Sequence, residues 1–523
     1  MSIVLHGLFA WHQPFTNDEG AYLYDARTIL VGKIPGGDVL TKTPVSVLLF
    51  SASEYITHHS LFAARGVNIL ASLVSAIPLF LFVKSVANKK AARYTAIFWL
   101  VGPGPIIFYS LGHTQAIASL CSIISLLFWT WGIQHKKKAT LYLLWAGIFF
   151  ALAFATRKTA IALIAPYIVI FLLHRANTIS LKKINLVWIT GVCLPLILCI
   201  LSVAALYGVQ GVGQLVGLSY GVILSRSILD HASIVPWAED IRNVYNTTLR
   251  IGTMYGIAFF ITIGLLGHSI ARRIGIFYAR IIWALLAGIS IALAIHMSAW
   301  IVFAGVAVYW IFWPPHINSS LKKFLIPISY IIALAMLYAR WPVLLVEYGG
   351  DFLIPTTMIC AFVLSSLKIN ILSKNILFLL FLYASAVSML RVWQFPWTGM
   401  FTREAIYQAA HVLEQTVPMS EPIFTAAVII PYVSGHEVVL NIAHPQWYTY
   451  SFMSDQDKNV FLPPITSVRD IIANKVKWAI DEQLTQYSYP DIPKNSWNLI
   501  QIIPNMTGYR NNPIKIYAIS TKT

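Results

Sequence analysis

The stretch PFTNDEGAYLYDARTIL, residues 14–30, places two adjacent carboxylates between long apolar segments. Similar alternation of apolar runs and short charged stretches continues to about residue 391. Of the 523 residues, 58% are hydrophobic and only 11% are charged, and the mean hydropathy is +0.69. A soluble domain has too little interior to bury this much apolar surface, so the sequence predicts a protein embedded in a lipid bilayer.

Apolar segments of the length needed to cross a bilayer recur through this part of the chain. A spanning helix needs about 20 apolar residues, and the shorter run at 3–15 covers about two-thirds of the bilayer. Either the true start lies upstream or neighbouring helices protect this segment, and a truncated or misassigned start is favoured. With that run, about thirteen transmembrane helices are predicted. The other twelve segments are 61–83, 92–110, 114–133, 139–155, 159–174, 186–207, 251–268, 279–296, 298–313, 322–339, 351–367 and 374–391.

Lysine and arginine residues are concentrated in alternate loops between these segments. Cytoplasmic loops are enriched in Lys and Arg, so the pattern predicts a cytoplasmic N-terminus in a plasma or inner membrane. The 16–60 loop, the 208–250 loop and all residues after 391 then lie outside. The same rule accounts for the net charge of +17 without a nucleic-acid partner. The lysine and arginine residues of these alternate loops are Lys84, Lys89, Lys90, Arg93, Lys136, Lys137, Lys138, Arg175, Lys182, Lys183, Arg272, Arg273, Arg280, Lys322, Lys323, Lys368 and Lys374.

The composition changes from about residue 399 onward. The stretch 400–417 is apolar at helical spacing, which predicts an amphipathic helix, and 466–475 predicts a second helix. Short β-rich runs between Pro, Gly and Asn residues predict strands at 423–430, 436–443, 498–504 and 514–520. The chain is therefore divided into a transmembrane domain, 1–391, with interfacial helices in the 16–60 loop, and an extracytoplasmic α/β domain, 392–523.

The carboxylates of the opening stretch have a purely structural interpretation. Thr16 followed by Glu19 fits a capping box, and Asp18 in a first helical turn is favoured by the helix dipole. That interpretation does not explain why Asp18, Tyr22 and Asp25 recur at i, i+4 and i+7. This spacing gives one polar face to a short helix along the membrane surface.

The longer stretch PFTNDEGAYLYDARTILVGKIPGGDVLTKTPVSVLL, residues 14–49, resembles the first external loop of a known class of enzymes. These are the polytopic GT-C glycosyltransferases that use polyprenyl-phosphate sugars, including the protein O-mannosyltransferases and the lipid A aminoarabinose transferases. In the family, an acidic pair is followed by an interfacial helix, a Gly-x-x-Pro turn, an Asp and a Lys-Pro-Pro-like motif. Asp18-Glu19, Gly32-Lys-Ile-Pro35, Asp38 and Lys42-Thr-Pro44 occur in that order.

The resemblance implies roles for individual residues of this loop. Asp18 would be the base that takes a proton from the acceptor hydroxyl, with Glu19 in support. The leaving lipid phosphate needs a cation, for which Lys42 is the first candidate and Arg27 the second. Tyr22 and Asp38 are candidates for contacts to the sugar or acceptor.

Arg157 and Lys158 form a basic pair on the predicted outer side, against the positive-inside bias. Snorkelling to the membrane interface and contact with the donor phosphate both explain such a pair. Asp351 lies at another predicted outer span end, where it is either an interfacial acid or a contact to the acceptor.

Two departures from the family pattern stand out. Many relatives have a second acid in the next external loop, where this chain has YSLGHTQAIA with His113 and Gln115. Relatives also commonly have an Arg-Tyr-Leu-Leu-Pro-like motif where this chain has GGDFLIP, with Asp351 at the expected arginine. The first departure leaves a thin set of acidic ligands, so the sequence indicates no definite metal site, although some members of the class use a divalent cation.

The predicted function is the transfer of a sugar from a polyprenyl-phosphate donor to an extracytoplasmic lipid, glycan or protein acceptor, with inversion. A transporter or flippase of a lipid-linked substrate is a second hypothesis. Transporters usually show internal repeats and ionisable residues near the membrane midplane, neither of which is evident in this sequence. An inactive relative that acts as a scaffold is a third, because of the two departures.

Overall fold

The computed structural model is mainly helical. Its bundle includes helices α1 Ser2–His12, α2 Asn17–Leu30, α3 Pro44–Thr57, α4 Ala63–Val86, α5 Lys89–Val101, α6 Pro103–Phe108, α7 Gln115–Gln134, α8 Ala139–Thr156, α9 Ile164–His174, α10 Leu181–Val216, α11 Thr253–Ile274, α12 Ile276–Ala294, α13 Ala299–Phe312, α14 Leu325–Tyr338, α15 Leu353–Ser366 and α16 Ile371–Gln394. The structure describes residues 1–32, 44–57, 60–174, 181–216, 253–294, 299–312, 316–317, 321–338, 346–368, 371–394, 401–442, 466, 470–472, 475–482, 485, 497–507 and 510–520.

Every apolar segment predicted from the sequence contains helix in this structure. By length and composition, five helical segments of the described chain are able to cross a membrane. They are Ala63–Val86, Gln115–Gln134, Lys136–Thr156, Ile276–Leu293 and Gly349–Ser366. The other apolar helices are shorter, so the total of about thirteen spans stays a prediction.

The predicted span 92–110 is two helices, because the helix is interrupted between α5 and α6. Gly102 is extended, and a Cβ there would lie 2.1 Å from the Phe98 carbonyl oxygen. Pro103 is the first residue of α6, a position where its missing N–H costs nothing. The short helix α6 leads directly into residues 109–114, which form much of the site described below.

Helix α10 extends further than the sequence predicts. It continues to Val216, so the first residues of the predicted 208–250 loop are helical. Residues 217–250 lie outside the described part of the chain.

Helix α2 lies where the interfacial helix of the first loop was predicted. Ten of its 14 residues are buried, including Tyr22 and Asp25, which form the predicted polar face together with the half-buried Asp18. Much of that face is therefore turned into the protein. Helix α2 packs between the membrane bundle and the residues that follow α16.

The C-terminal region, residues 401–520, is built around four strands: β3 Ile423–Phe424, β4 Trp478–Asp481, β5 Trp497–Ile503 and β8 Ile514–Ile519. They form a sheet in the order β3-β4-β8-β5. Strand β3 pairs in parallel with β4, whereas β8 is antiparallel to both of its neighbours. The region also contains α17 Arg403–Thr416, α18 Ile429–Ser434, β6 Met506–Thr507 and β7 Arg510–Asn511. Outside it, the short strands β1 His316–Ile317 and β2 Leu367–Lys368 pair with each other.

Several predictions for this region are confirmed. The amphipathic helix is α17, and the strands predicted at 498–504 and 514–520 are β5 and β8. Residues 470–472, within the predicted second helix, are helical.

The prediction of a strand at 423–430 holds only for Ile423 and Phe424, because helix α18 begins at Ile429. The strand predicted at 436–443 is wrong. In its described part, residues 436–442, only an isolated bridge from Val438 to Ile423 is present, and Leu440 and Asn441 have positive φ values that no strand allows.

Candidate active site

The start of helix α2 is fixed by the predicted capping box. The Thr16 hydroxyl accepts a hydrogen bond from the Glu19 backbone N–H at 3.1 Å, and the Glu19 carboxylate accepts one from the Thr16 N–H at 2.9 Å. The structural interpretation of Glu19 is thus confirmed. The same carboxylate makes further contacts that the local sequence does not reveal.

Glu19 forms a buried ion pair with Arg65 of helix α4, and each side chain is only 1% exposed. Arg65 Nε donates to Glu19 Oε1 at 2.7 Å and Nη2 donates to Oε2 at 2.9 Å. The backbone N–H of Gly112 donates to Oε1 at 2.6 Å. With the bond from Thr16, the carboxylate accepts four hydrogen bonds, which fills its lone-pair sites.

Arg65 is equally saturated. Besides Glu19, its Nη groups donate to the carbonyl oxygens of Ala10, Gln13 and Pro14, which occupies all five N–H groups of the guanidinium. The guanidinium also lies 3.8 Å from the centroid of the Phe15 ring. These bonds fix the end of α1, the start of α2 and the start of α4 relative to one another.

The ion pair makes Glu19 a weak base. Burial alone raises the pKa of its carboxyl, but the charge and hydrogen bonds of Arg65, with smaller contributions from His113 and Thr16, hold the pKa below its ordinary value. Asp18 precedes it in the same first turn and is half-buried. Successive side chains point about 100° apart around a helix, so Asp18 does not share the inward direction of Glu19.

The turn formed by residues 109–114 joins this cluster to a second one. Gly112 contacts Glu19, and His113 Nε2 lies 3.2 Å from the Thr16 hydroxyl. Two residues of the same turn face the other cluster. The Tyr109 hydroxyl donates to the Gly350 carbonyl at 2.9 Å, and Thr114 Oγ1 lies 3.5 Å from Arg157 Nη1.

The second cluster is centred on Asp351, at the start of the Gly349–Ser366 segment. Arg157 Nε donates to both carboxylate oxygens, at 2.7 Å and 2.8 Å. The Thr159 hydroxyl donates to Oδ2 at 3.0 Å, and the Tyr338 hydroxyl donates to the same oxygen. Asp351 is 7% exposed and Arg157 is 16% exposed, so this pair is less enclosed than Glu19 and Arg65.

The structure brings some predicted residues together and separates others. Arg157 and Asp351, which are 194 positions apart in the chain, are direct partners, and Lys158 is half-buried next to them in sequence. The Arg27 guanidinium instead contacts backbone carbonyls of Tyr432 and Gly435. Lys42 and Asp38 lie outside the described residues.

Arg65, Thr159 and Tyr338 were not identified from the sequence. Arg65 gave a usable signal, because an arginine close to the start of a long apolar run calls for a partner. The hydroxyl residues gave none, since Thr and Tyr are common at span ends. Among the residues that the structure describes, no group of three or more His, Cys, Asp or Glu side chains is placed to hold a metal ion.

Comparison with known proteins identifies a family model that matches part of the chain. Residues 41–203 match the family model described as dolichyl-phosphate-mannose-protein mannosyltransferase, which covers less than a third of the chain. The predicted resemblance to GT-C glycosyltransferases that use polyprenyl phosphate is thereby confirmed. The match indicates a membrane-embedded glycosyltransferase with a polyprenyl-phosphate-linked donor. No curated protein matches the chain in sequence.

Solved structures with a similar layout have low sequence identity to this chain. One is ArnT from Cupriavidus metallidurans bound to undecaprenyl phosphate, with a TM-score of 0.46 and 13% identity over 99% of this chain and 96% of that one. Another is the oligosaccharyltransferase AglB from Archaeoglobus fulgidus, in complex with an inhibitory peptide and a dolichol-phosphate. It has a TM-score of 0.49 and 11% identity over 99% of this chain and 74% of that one.

Proposed function

We propose that this protein transfers a sugar from a polyprenyl phosphate to a hydroxyl of an extracytoplasmic acceptor, with inversion at the anomeric carbon. The family match over residues 41–203 supports the class of donor and reaction. In this proposal residues 1–391 form the catalytic membrane domain in a plasma or inner membrane, with a cytoplasmic N-terminus. Residues 392–523 form a domain on the outer side.

Asp18 is the proposed base. The observation that carries this assignment is the contrast with its neighbour: the four lone-pair sites of Glu19 are filled, whereas Asp18 is half-buried and points to another side of α2. An acceptor hydroxyl held beside Asp18 would transfer its proton to that carboxylate. Glu19 supports the reaction indirectly, because its bonds fix the first turn of α2 that bears Asp18.

The reaction is a single displacement in this scheme. The acceptor oxygen forms a bond to the anomeric carbon while the bond from that carbon to the phosphate oxygen breaks, and polyprenyl phosphate leaves with the electron pair. Attack from the face opposite the phosphate inverts the anomeric centre. Cations near the phosphate stabilise the negative charge that it gains.

Lys42, Arg157 and Lys158 are the proposed source of that positive charge. Arg157 is held by Asp351 at the outer end of α8, and the turn 109–114 joins it to the α2 cluster. Asp351 is therefore proposed to orient this arginine.

A turnover assay tests the proposal. Purified protein is supplied with radiolabelled polyprenyl-phosphate sugars and an envelope extract as acceptor, and the release of polyprenyl phosphate is measured. We expect release by the wild type, and a loss of at least about 100-fold in Asp18→Asn, because a positioned base typically contributes that much. The matched control is Glu414→Gln, since Glu414 is 50% exposed on α17.

Two outcomes count against this function, and a third counts against the assignment of the base. Transport of labelled lipid across reconstituted vesicles without consumption of the donor would favour a flippase. Inactivity of a well-folded wild type in both assays would favour an inactive relative. Full turnover by Asp18→Asn would remove Asp18 as the base and leave the reaction class intact.

A further inference from the structure

The C-terminal region holds the second half of helix α2 by hydrogen bonds from two side chains. Arg27 donates from Nη1 to the Tyr432 carbonyl oxygen at 2.8 Å and from Nη2 to the Gly435 carbonyl oxygen at 2.9 Å. These carbonyls belong to the C-terminal end of α18, where the helix dipole favours a cation. The Tyr432 hydroxyl in turn donates to the Glu54 carboxylate of α3.

Tyr24, one turn earlier on α2, makes the second connection. Its hydroxyl donates to Asn441 Oδ1 at 2.9 Å and accepts from the Val438 N–H at 3.0 Å. Tyr24 is 2% exposed, and burial raises its pKa to about 12, so the hydroxyl keeps its proton at physiological pH. The Tyr24 hydroxyl therefore acts as both donor and acceptor in hydrogen bonds to the C-terminal region.

The backbone conformation at this contact is unusual. Leu440 and Asn441 have φ values of 54° and 53°, in the left-handed region that costs a non-glycine residue about 1–2 kcal/mol. Leu440 is 43% exposed and has little packing to offset that cost. Such a conformation persists where surrounding contacts determine it, and the bond between Asn441 and Tyr24 is one of these contacts.

Helix α2 and helix α18 also approach each other closely. A Cβ on Gly20 would lie 2.7 Å from the Ile429 Cβ and 3.0 Å from the Ile429 backbone nitrogen. Gly20 is two residues from Asp18, so the C-terminal region reaches the first turns of α2. The packing leaves no space for even a methyl group at this point.

We propose that residues 429–441, here termed the clamp segment, are a positioning element of the active site and that Tyr24 and Arg27 are its contact residues. This inference rests on the proposed role of Asp18 as the base. The Glu19 ion pair fixes the start of α2 to the membrane bundle, and the clamp segment fixes the helix from Gly20 to Arg27. Asp18 is about 9 Å along the helix axis from Tyr24, so a tilt at Tyr24 displaces its carboxylate.

The inference gives Arg27 a different role from that of a phosphate ligand. Both Nη groups donate to backbone carbonyls of the clamp segment, which places this charge on the C-terminal region. Arg27 would then act on the reaction through the position of α2.

The test compares Tyr24→Phe and Arg27→Met with Tyr55→Phe in the full-length protein. Tyr55 lies on α3 in the same loop and is 75% exposed, so its hydroxyl serves as the matched control. We expect kcat to fall by about 10- to 100-fold in the first two variants, because a misplacement of about 1 Å is worth that much. The KM for the donor should stay close to that of the wild type.

The pH profile separates positioning from a loss of folded enzyme. A smaller active fraction lowers the rate equally at every pH, whereas a displaced Asp18 has a new environment and a new pKa. We therefore expect the acid limb of kcat/KM to shift in Tyr24→Phe and to stay in place in Tyr55→Phe. Asn441→Ala should produce the same shift. The double variant Tyr24→Phe/Asn441→Ala should lower kcat no further than either single variant, because both remove the same hydrogen bond.

An unshifted acid limb with an unchanged kcat in Tyr24→Phe would overturn the inference. A lowered kcat with an unshifted acid limb would also overturn it, since that result is explained by a smaller fraction of folded enzyme. These outcomes are distinct from failure of the proposed function, in which Asp18→Asn keeps full turnover or the wild type consumes no donor.

Discussion

The two buried ion pairs of the described structure differ in how completely they are closed. Glu19 and Arg65 are each 1% exposed, and every lone-pair site of the carboxylate and every N–H of the guanidinium has a partner. Asp351 is also bound by hydroxyl groups, but Arg157 remains 16% exposed at a span end. The first pair is suited to hold helices together, and the second includes the arginine proposed to bind the donor phosphate.

The closure of the Glu19–Arg65 pair explains how the adjacent acids Asp18 and Glu19 can have separate tasks. A carboxylate with four donors is held in its charged form and has no remaining site for a substrate proton. Glu19 thus provides a rigid first turn for α2, and the chemical role is proposed for Asp18. A pair of acids in the sequence therefore does not imply a pair of acids in the mechanism.

The largest expected effect on stability comes from opening the closed pair. Arg65→Met leaves the Glu19 carboxylate buried without its cation, which we expect to destabilise the protein by about 3–5 kcal/mol. The measurement is the apparent melting temperature and the yield of monodisperse protein in detergent. Turnover should fall with the folded fraction, and further in the folded molecules because Asp18 lies on the turn of α2 that this pair fixes.

Glu404→Gln is the control for that change. The pair between Glu404 and Arg403 is exposed, with 65% of the glutamate side chain accessible, and exposed pairs contribute about 0–1 kcal/mol. A melting temperature of Arg65→Met equal to that of the control would show that the closed pair is not what holds α1, α2 and α4 together.

The open pair between Asp351 and Arg157 should affect the melting temperature less than the closed pair does. Asp351→Asn keeps the bonds from Thr159 and Tyr338 within reach but removes the charge that orients Arg157. We expect turnover to fall by about 10- to 100-fold, because the guanidinium is displaced, while the melting temperature changes less than in Arg65→Met. The measurements are kcat and the KM for the donor, which separate displacement during turnover from weaker binding.

Asp470→Asn is the control for the open pair, since Asp470 is exposed in the C-terminal region. If Asp351→Asn lost its fold as completely as Arg65→Met and kept full turnover per folded molecule, the contrast between the two pairs would be wrong.

The contrast also shows what sequence can and cannot predict in this protein. The capping box of Thr16 and Glu19 follows from a spacing of three residues, and the apolar segments follow from composition, because both are local properties. Arg65 and Glu19 are 46 positions apart, and Arg157 and Asp351 are 194 apart. Their pairing depends on how helices pack, which no single segment encodes.

The C-terminal sheet gives the same lesson on a smaller scale. Strands β5 and β8 were predicted because each has a clear run of β-forming residues. Strand β4, Trp478–Asp481, was missed because four residues carry little pattern, although it pairs with both β3 and β8. The segment 436–443 has the composition of a strand, but its contact with Tyr24 coincides with left-handed conformations at Leu440 and Asn441.

The smallest expected effect is the pH dependence of the closed pair. The folded pKa of Glu19 lies below the ordinary value of 4.5, so its ion pair stabilises the protein fully above that value. The stabilisation is lost as the pH falls from about 4.5 through the lower folded pKa, because the unfolded state binds the proton first. The melting temperature of the wild type minus that of Glu19→Gln should therefore decrease over this window.

The same difference is expected to be constant between pH 5 and 8, where Glu19 is ionised in both states. A difference that instead increased as the pH fell towards 4.5 from above would mean that burial outweighs Arg65 and raises the folded pKa. Glu19 would then bind protons readily, and the assignment of the chemical role to Asp18 alone would lose its main support. The titration thus tests whether Glu19 has a structural role and Asp18 the chemical one, without any knowledge of the substrate.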